Sequence, residues 1–310
     1  MLTLDLVIIH YNENKYIPKL FESIKAQSFK PKKIFFVDNF SEKDPTTELK
    51  KQKGLDIECI RTQKNLFFAA GTNIGLRKAL NDNPDVIGIL NADTRFEKNC
   101  FKTLMSFLEN NSTTIGVSPK ILNYAGNKVI FKPIKYSRFL RKFSTTEATE
   151  STQTDALGGA HAFIRTNVLK NTGIFYEPFY HGTEDLYLNY KLRKLGKMFY
   201  LPEAVGYHRD WNEDRPARNP KSQGYLQISA RNSYVYSIKT KDPFLFLMNS
   251  LSFAKNILFC LLFSINSPNE RNLYKDKVKG FLWGVSETFY HLSNNSKYLD
   301  THIDYDKIRV

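Results

Sequence analysis

The first hundred residues alternate between short apolar runs and stretches of helical periodicity, and this order constrains the fold more than any other feature. Strands that alternate with helices form parallel sheets covered by helices on both faces. In such sheets, ligands bind beyond the carboxyl ends of the strands. The predicted strands are Leu4–His10, Ile34–Asp38, Asp56–Arg61 and Val86–Leu90, and the predicted helices cover 16–24, Thr46–Lys53 and Ala70–Leu80.

The alternation weakens after residue 110. A short strand is predicted at Ile115–Val117, followed by a hairpin around Gly126. The polar stretch Ser144–Asp155 has no apolar period and predicts a mobile loop.

A further strand and helix are predicted before residue 200. The strand, Ala156–Thr166, opens with Gly158 and Gly159, whose missing side chains permit close approach of a backbone or a ligand. The helix, Asp185–Leu195, has leucines on one face and ends at Gly196.

The apolar run Phe244–Ile265 dominates the C-terminal part of the chain. It approaches the length of a membrane span, but Lys255 lies near its middle and costs about 3 kcal/mol in lipid. A helix that lies in a membrane interface and a helix that packs on its own domain are the two remaining interpretations. We predict an α/β domain over 1–240 and a helical extension over 241–310.

The chain carries 45 Lys and Arg against 31 Asp and Glu, a formal net charge of +14. This excess fits nucleic acid, an anionic membrane surface, or anionic substrates such as nucleotide sugars and lipid phosphates. Six cations are interleaved with aromatic residues, and no acid lies among them. This pattern is compatible with binding to nucleic acid, but no recognition motif for nucleic acid accompanies it. A solvated loop is the alternative. They are Lys128, Lys132, Lys135, Arg138, Arg141 and Lys142.

The cysteines and the N-terminal segment indicate a reducing compartment. Cys59, Cys100 and Cys260 are widely spaced and offer neither a disulfide framework nor a CxxC metal site. The segment MLTLDLVIIHYNE has no basic leader and predicts a strand, not a signal peptide. We therefore expect a cytoplasmic location.

Polar residues follow three of the predicted strands. A carboxylate in such a place, as at Asp93, can hold Mg²⁺ or Mn²⁺, which takes its other ligands from phosphate oxygens; the alternative is that Asp93 caps the next turn. His208 is either an ordinary hydrogen-bonded histidine or a further ligand of that cation. The three segments are His10-Tyr11-Asn12-Glu13, Asp38-Asn39-Phe40-Ser41 and Asn91-Ala92-Asp93.

Two predicted helix starts carry polar residues. The segment 65–75 places Gly71 and Asn73 where free N–H groups could bind an anion, or where they simply form a structural turn. At the second start, Thr183 or Asp185 is either a helix cap or, for Asp185, a general base that the helix N-terminus keeps ionised.

Taken together and in this order, these motifs resemble the family 2 glycosyltransferases of the GT-A fold, in particular the rhamnosyltransferase-like branch that builds bacterial surface polysaccharides. The resemblance extends over 4–240 and implies a nucleotide-sugar-binding α/β fold with a mainly parallel, Rossmann-like central sheet. The matching stretches are VIIHYNEN at 7–14, FFVDNFSEKD at 35–44, NLFFAAGTNIG at 65–75, ILNADT at 89–94 and LGGAHAFIRTNVLKNTGIFYEPFYHGTEDLYLNYKLRKLGKMFYLPEAVGYH at 157–208.

The resemblance implies a role for each candidate residue. Asn91-Ala92-Asp93 resembles the DxD element, so Asp93 and His208 would hold Mg²⁺ or Mn²⁺. Asp185 would be the catalytic base. The implied donor-binding residues are Tyr11, Asn12, Glu13, Asp38, Asn39, Asn65, Gly71, Asn73, Asn91, Ala92 and Asp93; those implied on the acceptor side are Gly158, Gly159 and Glu184; and Arg231 is a further diphosphate candidate, although its surroundings do not match QxxRW.

The implied reaction moves a sugar, with inversion, from a nucleoside diphosphate sugar to a lipid-linked or growing surface glycan. The implied location is cytoplasmic, with peripheral attachment to the inner face of the cell membrane, and nucleic acid is not an expected partner. Because Asn91 removes one carboxylate from the DxD element, a scaffold subunit without turnover is the alternative. A nucleotidyltransferase is disfavoured because HYNE replaces a glycine-rich phosphate loop after the first strand.

Overall fold

The computed structural model describes residues 1–137, 142–179, 182–210, 223–262 and 268–293. These residues form two compact units. The first contains the described residues of Met1–Phe175 and Leu188–Asp214, and the second contains those of Tyr176–Tyr187 and Arg215–Val310.

The first unit contains most of the secondary structure. α6 (Glu184–Leu192) begins in the second unit and ends in the first. The other elements of the first unit, in chain order, are β1 (Leu4–His10), α1 (Ile17–Ala26), β2 (Lys33–Asp38), α2 (Thr46–Lys50), β3 (Ile57–Arg61), α3 (Phe67–Asp82), β4 (Val86–Asn91), β5 (Thr94–Phe96), α4 (Cys100–Asn110), β6 (Thr114–Asn123), β7 (Val129–Phe131), β8 (Ile134–Ser137), β9 (Lys142–Thr145), β10 (Thr152–Thr154), β11 (His161–Arg165), α5 (Thr166–Thr172) and β12 (Lys197–His208).

A ten-stranded sheet organises this unit. Eight of its strands lie side by side in the order β10, β12, β6, β11, β4, β1, β2 and β3, while β5 pairs with β12 and β7 pairs with β6. β3, β2, β1 and β4 are all parallel, which confirms the fold expected from the alternating pattern. β11 runs antiparallel between β4 and β6. The carboxyl ends of β1, β2 and β4 therefore meet at one edge of the sheet.

The core lies on both faces of the sheet. On β1, Leu6 and Ile8 pack with α1 and α4, whereas Val7 faces α3 on the other side. Every residue of β1 is buried, as expected for a central strand covered twice. Gly75 lets α3 approach closely, since a Cβ there would lie 2.6 Å from Val7 Cγ1.

The segment predicted as a mobile loop, Ser144–Asp155, has strand residues at both ends, in β9 and β10, and hydrogen bonds hold its C-terminal end. β10 pairs with β12, with Thr152 opposite Tyr200. The Asp155 carboxylate accepts the Tyr136 N–H at 2.8 Å, and Ile134 donates its N–H to Thr154 Oγ1 at 2.9 Å. Polar side chains that bond to a neighbouring strand replace the apolar pattern on which the prediction depended.

Other element boundaries also differ from the sequence prediction. The strand expected at Ile115–Val117 extends over Thr114–Asn123, α2 ends at Lys50 instead of Lys53, and α6 covers Glu184–Leu192 instead of Asp185–Leu195. The strand expected at Ala156–Thr166 is limited to His161–Arg165, because residues 158–160 form a turn in which His161 N–H donates to Gly158 O. α3 begins at Phe67, three residues before the predicted start.

The second unit contains α7 (Gln223–Lys239), α8 (Pro243–Leu262) and α9 (Pro268–Ser293). α9 packs on α7 at very short range, since a Cβ at Gly280 would lie 2.1 Å from Gln227 O. α7 therefore groups with the C-terminal helices, and the units do not divide at residue 240. Within the described residues, no helix combines the length and apolar character that crossing a bilayer requires.

Asp5 gives the first unit a pH-dependent stability. It is fully buried on β1, and burial, reinforced by the nearby Asp82 carboxylate, raises the pKa of Asp5 to about 7. The folded state therefore holds a proton that the unfolded state releases near pH 4. Asp5 stabilises the fold below that pH, and its contribution is lost as the pH rises towards and beyond 7.

Asp5→Asn stays neutral at every pH and should flatten the fall in Tm between pH 5 and pH 8. The linkage is worth about 1.4 kcal/mol for each pKa unit. Differential scanning calorimetry at both pH values measures the slope, with the exposed Asp56→Asn as the matched control. Parallel curves for wild type and Asp5→Asn would show that Asp5 does not titrate in this range.

Candidate functional site

The ends of β1 and β2 are joined by a buried histidine–aspartate pair. His10 and Asp38 lie opposite each other in the parallel register, and His10 Nδ1 is 3.0 Å from Asp38 Oδ1. Because His10 Nε2 accepts the Glu13 N–H, its proton lies on Nδ1 and is donated to Asp38. Hydrogen bonds from His10 and Ser41 outweigh burial and lower the pKa of Asp38, so this carboxylate is ionised.

Hydrogen bonds to the same cluster fix the turn after β1. Asn12 adopts a positive φ of 56°, its N–H donates to Ser41 Oγ, and its Oδ1 accepts the Glu42 N–H at 2.8 Å. Tyr11 is 41% exposed, so its ring is available for stacking. The predicted donor residues Tyr11 and Asn12 thus lie at the solvent side of the edge, above the buried Asp38.

Asn39 ties the end of β2 to the start of α3. Its Nδ2 donates to Asn65 Oδ1 and to Phe67 O, each at 3.0 Å. Its Oδ1 accepts the Leu66 N–H at 2.9 Å. Asn39 is 3% exposed, so these bonds fix the segment 65–67 beside the strand end.

Gly71 and Asn73 lie inside α3, not at its start. Their N–H groups belong to the helix ladder, so the predicted anion site at this N-terminus is not formed by them. A Cβ at Gly71 would lie 2.8 Å from Ile9 Cδ1 and 3.0 Å from the Asn39 amide. The Asn73 side chain donates to Phe175 O and accepts the Phe175 N–H. Gly71 and Asn73 therefore fix the packing of α3 against Ile9, Asn39 and Phe175.

The pairing of β5 with the end of β12 brings His208 to the end of β4. His208 is opposite Thr94, the residue after Asp93. His208 Nε2 is consequently 3.3 Å from Asp93 Oδ1 and 3.2 Å from Asn91 Nδ2. Ala92 is buried and donates its N–H to Ile9 O, which fixes the turn between β4 and β5.

The Asp93–His208 pair fits a divalent cation. His208 Nδ1 is 2.7 Å from Arg209 O and donates its proton there, so Nε2 carries a lone pair that accepts the Asn91 amide N–H at 3.2 Å, and Asp93 Oδ1 lies 3.3 Å from the same nitrogen. Asp93 Oδ1 and Asn91 Oδ1 are buried and have no hydrogen-bond partner among the described residues. Two electron-pair donors face each other at 3.3 Å, an arrangement that a cation between them satisfies.

The protein supplies few ligands at this place. Among the described residues, no group of three or more His, Cys, Asp or Glu side chains is placed to hold a metal. Mg²⁺ and its relatives are commonly held by one or two carboxylates together with substrate phosphates. The donor set of Asp93 and His208 is therefore suited to a cation that arrives with a diphosphate.

Arg209 is a site residue that the sequence analysis missed. It is 7% exposed, and its guanidinium is 3.5 Å from Glu13 Oε1. It thus adds a buried positive charge beside Asp93, at the edge where β1 and β12 end. The one available signal was its position directly after His208.

His161 is a second residue that the sequence analysis missed. It is buried, its ring nitrogens have no hydrogen-bond partner among the described residues, and burial lowers its pKa to about 3. Its ring lies over Gly158, where a Cβ would be 2.0 Å from His161 Nε2. The ring therefore occupies the space that Gly158 leaves, and the neighbouring Gly159 is half-buried.

The start of α6 carries two carboxyl groups, the buried Glu184 and the half-buried Asp185. Burial and the charge of Asp185 raise the pKa of Glu184 to about 8, and burial also raises the pKa of Asp185. Asp185 Oδ1 accepts the Leu186 N–H at 2.7 Å. A carboxylate with a raised pKa is a stronger base than one in water, which is what the predicted role of Asp185 needs.

Arg231 and Asn232 of α7 hold residues that precede α6, within the second unit. Arg231 is 1% exposed and its guanidinium donates to Pro178 O and to Asn232 Oδ1. Asn232 Nδ2 donates to Phe179 O and Gly182 O, each at 2.8 Å. These contacts are structural, so the predicted diphosphate contact of Arg231 finds no support.

The predicted basic cluster is partly neutralised. Lys128 pairs with Asp210 at 2.8 Å, Lys132 pairs with Glu147, and Lys135 donates to Gln153 O at 2.5 Å. Arg138 and Arg141 lie outside the described residues, as does the side chain of Lys142. The described part of the cluster therefore presents less free charge than its sequence indicates.

Asn39→Ala should destabilise the protein by about 1–3 kcal/mol, because it removes a buried amide that accepts the Leu66 N–H and donates to Asn65 and Phe67. Equilibrium urea unfolding measures the loss. Asn110→Ala, at the exposed end of α4, is the matched control and should change stability by less than about 0.5 kcal/mol. A loss no larger than the control's would mean that Asn39 does not organise this edge.

Comparisons with known proteins agree with this architecture. No curated protein sequence matches the chain. The crystal structure of GalNAc-T7 with UDP, GalNAc and Mn²⁺ is similar with a TM-score of 0.61 and 18% identity, over 96% of this chain and 58% of that one. S. aureus TarS 1–349 gives a TM-score of 0.57 and 18% identity, over 92% of this chain and 82% of that one.

The complex of TarS 1–349 with UDP-GlcNAc gives a TM-score of 0.53 at 15% identity, over 94% of this chain and 92% of that one. At such identities the likeness shows a shared fold, here the expected GT-A architecture. The model of glycosyl transferase family 2 matches residues 5–173, more than half of the chain, and this range holds the ends of β1, β2 and β4. The chain belongs to glycosyl transferase family 2.

Proposed function

We propose that this protein transfers a hexose, with inversion, from a nucleoside diphosphate sugar to a hydroxyl of a lipid-linked or growing surface glycan. The observation that carries the proposal is the pairing of Asp93 with His208 at an edge where parallel strands end. Two of the similar structures contain UDP or a UDP-sugar, so UDP-linked hexoses are the first donors to test. A rhamnosyl donor, expected from the branch that the motifs resemble, is the second.

Different residues at this edge of the sheet bind different parts of the donor. Tyr11, with its exposed ring, stacks on the base, while Asn12 and Glu13 contact the ribose. Asp38 and Asn39 hold the surrounding loops in place through their buried hydrogen bonds. Asn65, Gly71 and Asn73 keep α3 at the distance that leaves room for the donor.

Asp93 and His208 would hold Mg²⁺ or Mn²⁺, with Asn91 beside them. When bound, that cation supplies positive charge to the departing diphosphate. Arg209 adds a fixed positive charge on the same side and is kept in place by Glu13. Because these charges act in a buried setting, each is worth more than it would be in water.

Asp185 takes the proton of the acceptor hydroxyl on its carboxylate. The acceptor oxygen forms a bond to the anomeric carbon as the bond from that carbon to the diphosphate breaks, and the nucleoside diphosphate leaves. Glu184, with its pKa near 8, is protonated at neutral pH and adds no second negative charge beside Asp185. Glu184, Gly158 and Gly159 are the residues that we propose for contacts to the acceptor, and the protein acts in the cytoplasm at the inner face of the membrane.

Asp185→Asn should lower turnover by about 10²- to 10⁴-fold while leaving donor affinity unchanged, since only the base is lost. Radiolabelled sugar transfer measures turnover, and calorimetric titration with UDP and Mn²⁺ measures affinity. Asp56→Asn, at an exposed position, is the control for both. Full turnover in Asp185→Asn would remove Asp185 from the base role.

Asp93→Ala should give the complementary result, a loss of the Mn²⁺-dependent part of donor binding in the same titration. Donor binding by wild type without turnover on any glycan acceptor would favour the alternative, a scaffold subunit that has kept the site and lost the reaction. Equal donor affinity with and without Mn²⁺ in both proteins would contradict the metal role of Asp93.

A further inference from the structure

One face of α8 is apolar and exposed. Its large side chains are between 47% and 66% exposed, and nothing in the described part of the chain covers them. Successive members are three, four, seven, three and one residues apart, spacings that place them in one stripe along the helix. We call this stripe the outer face of α8: Phe244, Leu247, Leu251, Leu258, Leu261 and Leu262.

The opposite face of α8 is already packed within the second unit. Phe253 stacks on Phe281 of α9 with ring centroids 4.0 Å apart, and Asn256 is 7% exposed. Asn249 Nδ2 donates to Ser233 O of α7. The helix is therefore anchored by its inner side, and its outer face is a second apolar surface that this packing does not use.

The one charged residue of α8 is positive. The sequence of α8 contains no acid, and Lys255 is exposed one turn from Leu251 and Leu258. Lys241 and the half-buried Asp242 precede the helix, and Lys275 and Lys279 are exposed on the neighbouring α9. We propose that the outer face of α8 docks on an anionic lipid surface, with its leucines among the acyl chains and its lysines at the phosphates.

A lipid surface suits Lys255 better than a second copy of the chain does. Lys255 lies within one turn of the middle of α8, so a two-fold pairing of this face would bring Lys255 against its own copy in an apolar interface. At a membrane, the same side chain extends along the apolar surface and places its ammonium group among the phosphates. The inference rests on the proposed function only in that a lipid-linked acceptor lies at a membrane.

The test is flotation of the full chain with vesicles of phosphatidylcholine alone or of phosphatidylcholine with phosphatidylglycerol. Wild type should float with the anionic vesicles at low salt. The double variant Leu251→Asn/Leu258→Asn should bind about tenfold more weakly. Lys255→Glu should weaken binding to anionic vesicles about fivefold and leave the weak binding to neutral ones unchanged.

Matched controls come from the first unit. Leu195→Asn changes a leucine that is 51% exposed, and Lys102→Glu reverses an exposed lysine of α4. Both should float as wild type does. Wild type that remains at the bottom, or a double variant that floats unchanged, would overturn the proposal.

Light scattering and donor titration on the same samples separate the other outcomes. A wild-type dimer that the double variant disperses would assign the outer face to a second copy and overturn docking on lipid. The double variant should keep the donor affinity of wild type, because no residue of α8 belongs to the donor site. Wild type that floats but binds no nucleotide sugar would contradict the proposed function and leave the lipid surface supported.

Discussion

The pairing of β5 with the last residues of β12 is the interaction on which the candidate site depends. Without it, Asp93 is an acid at the end of a buried strand and His208 is a histidine at the end of another. The ladder places Thr94 opposite His208, and the two side chains meet as a consequence. The bond from His208 Nδ1 to Arg209 O then decides which nitrogen faces Asp93, so the backbone sets both position and tautomer.

A second layer of buried hydrogen bonds keeps the remaining strand ends in register with this pair. His10, Asp38 and Ser41 connect β1 to β2, and Asn39 connects β2 to α3. The interior tolerates these polar groups because nearly all of their donors and acceptors form hydrogen bonds. This buried cluster also sets the position of the exposed Asn12, whose N–H donates to Ser41 Oγ, and of Tyr11 next to it.

The sequence predicts the parallel half of the sheet because each strand there carries its own signal. Leu4–His10 was predicted with both ends correct, and the polar residues after β1, β2 and β4 mark the edge at which they meet. The missed features depend on contacts between distant segments. Arg209 and His161 can be recognised only from the residues that surround them in the fold. Hydrogen bonds to β8 and β12 hold part of Ser144–Asp155, and its composition does not show them. The apolar run of α8 could not be assigned from sequence because packing and lipid contact need the same residues, whereas the structure distinguishes a packed face from an exposed one.

Anomalous diffraction from crystals grown with UDP and Mn²⁺ shows directly whether Asp93 and His208 hold the cation of the donor. We expect one manganese peak within bonding distance of Asp93 Oδ1 and His208 Nε2, with the diphosphate beside it and the base near Tyr11. A nucleotide bound elsewhere on the chain, or manganese held without either of these two side chains, would contradict this assignment.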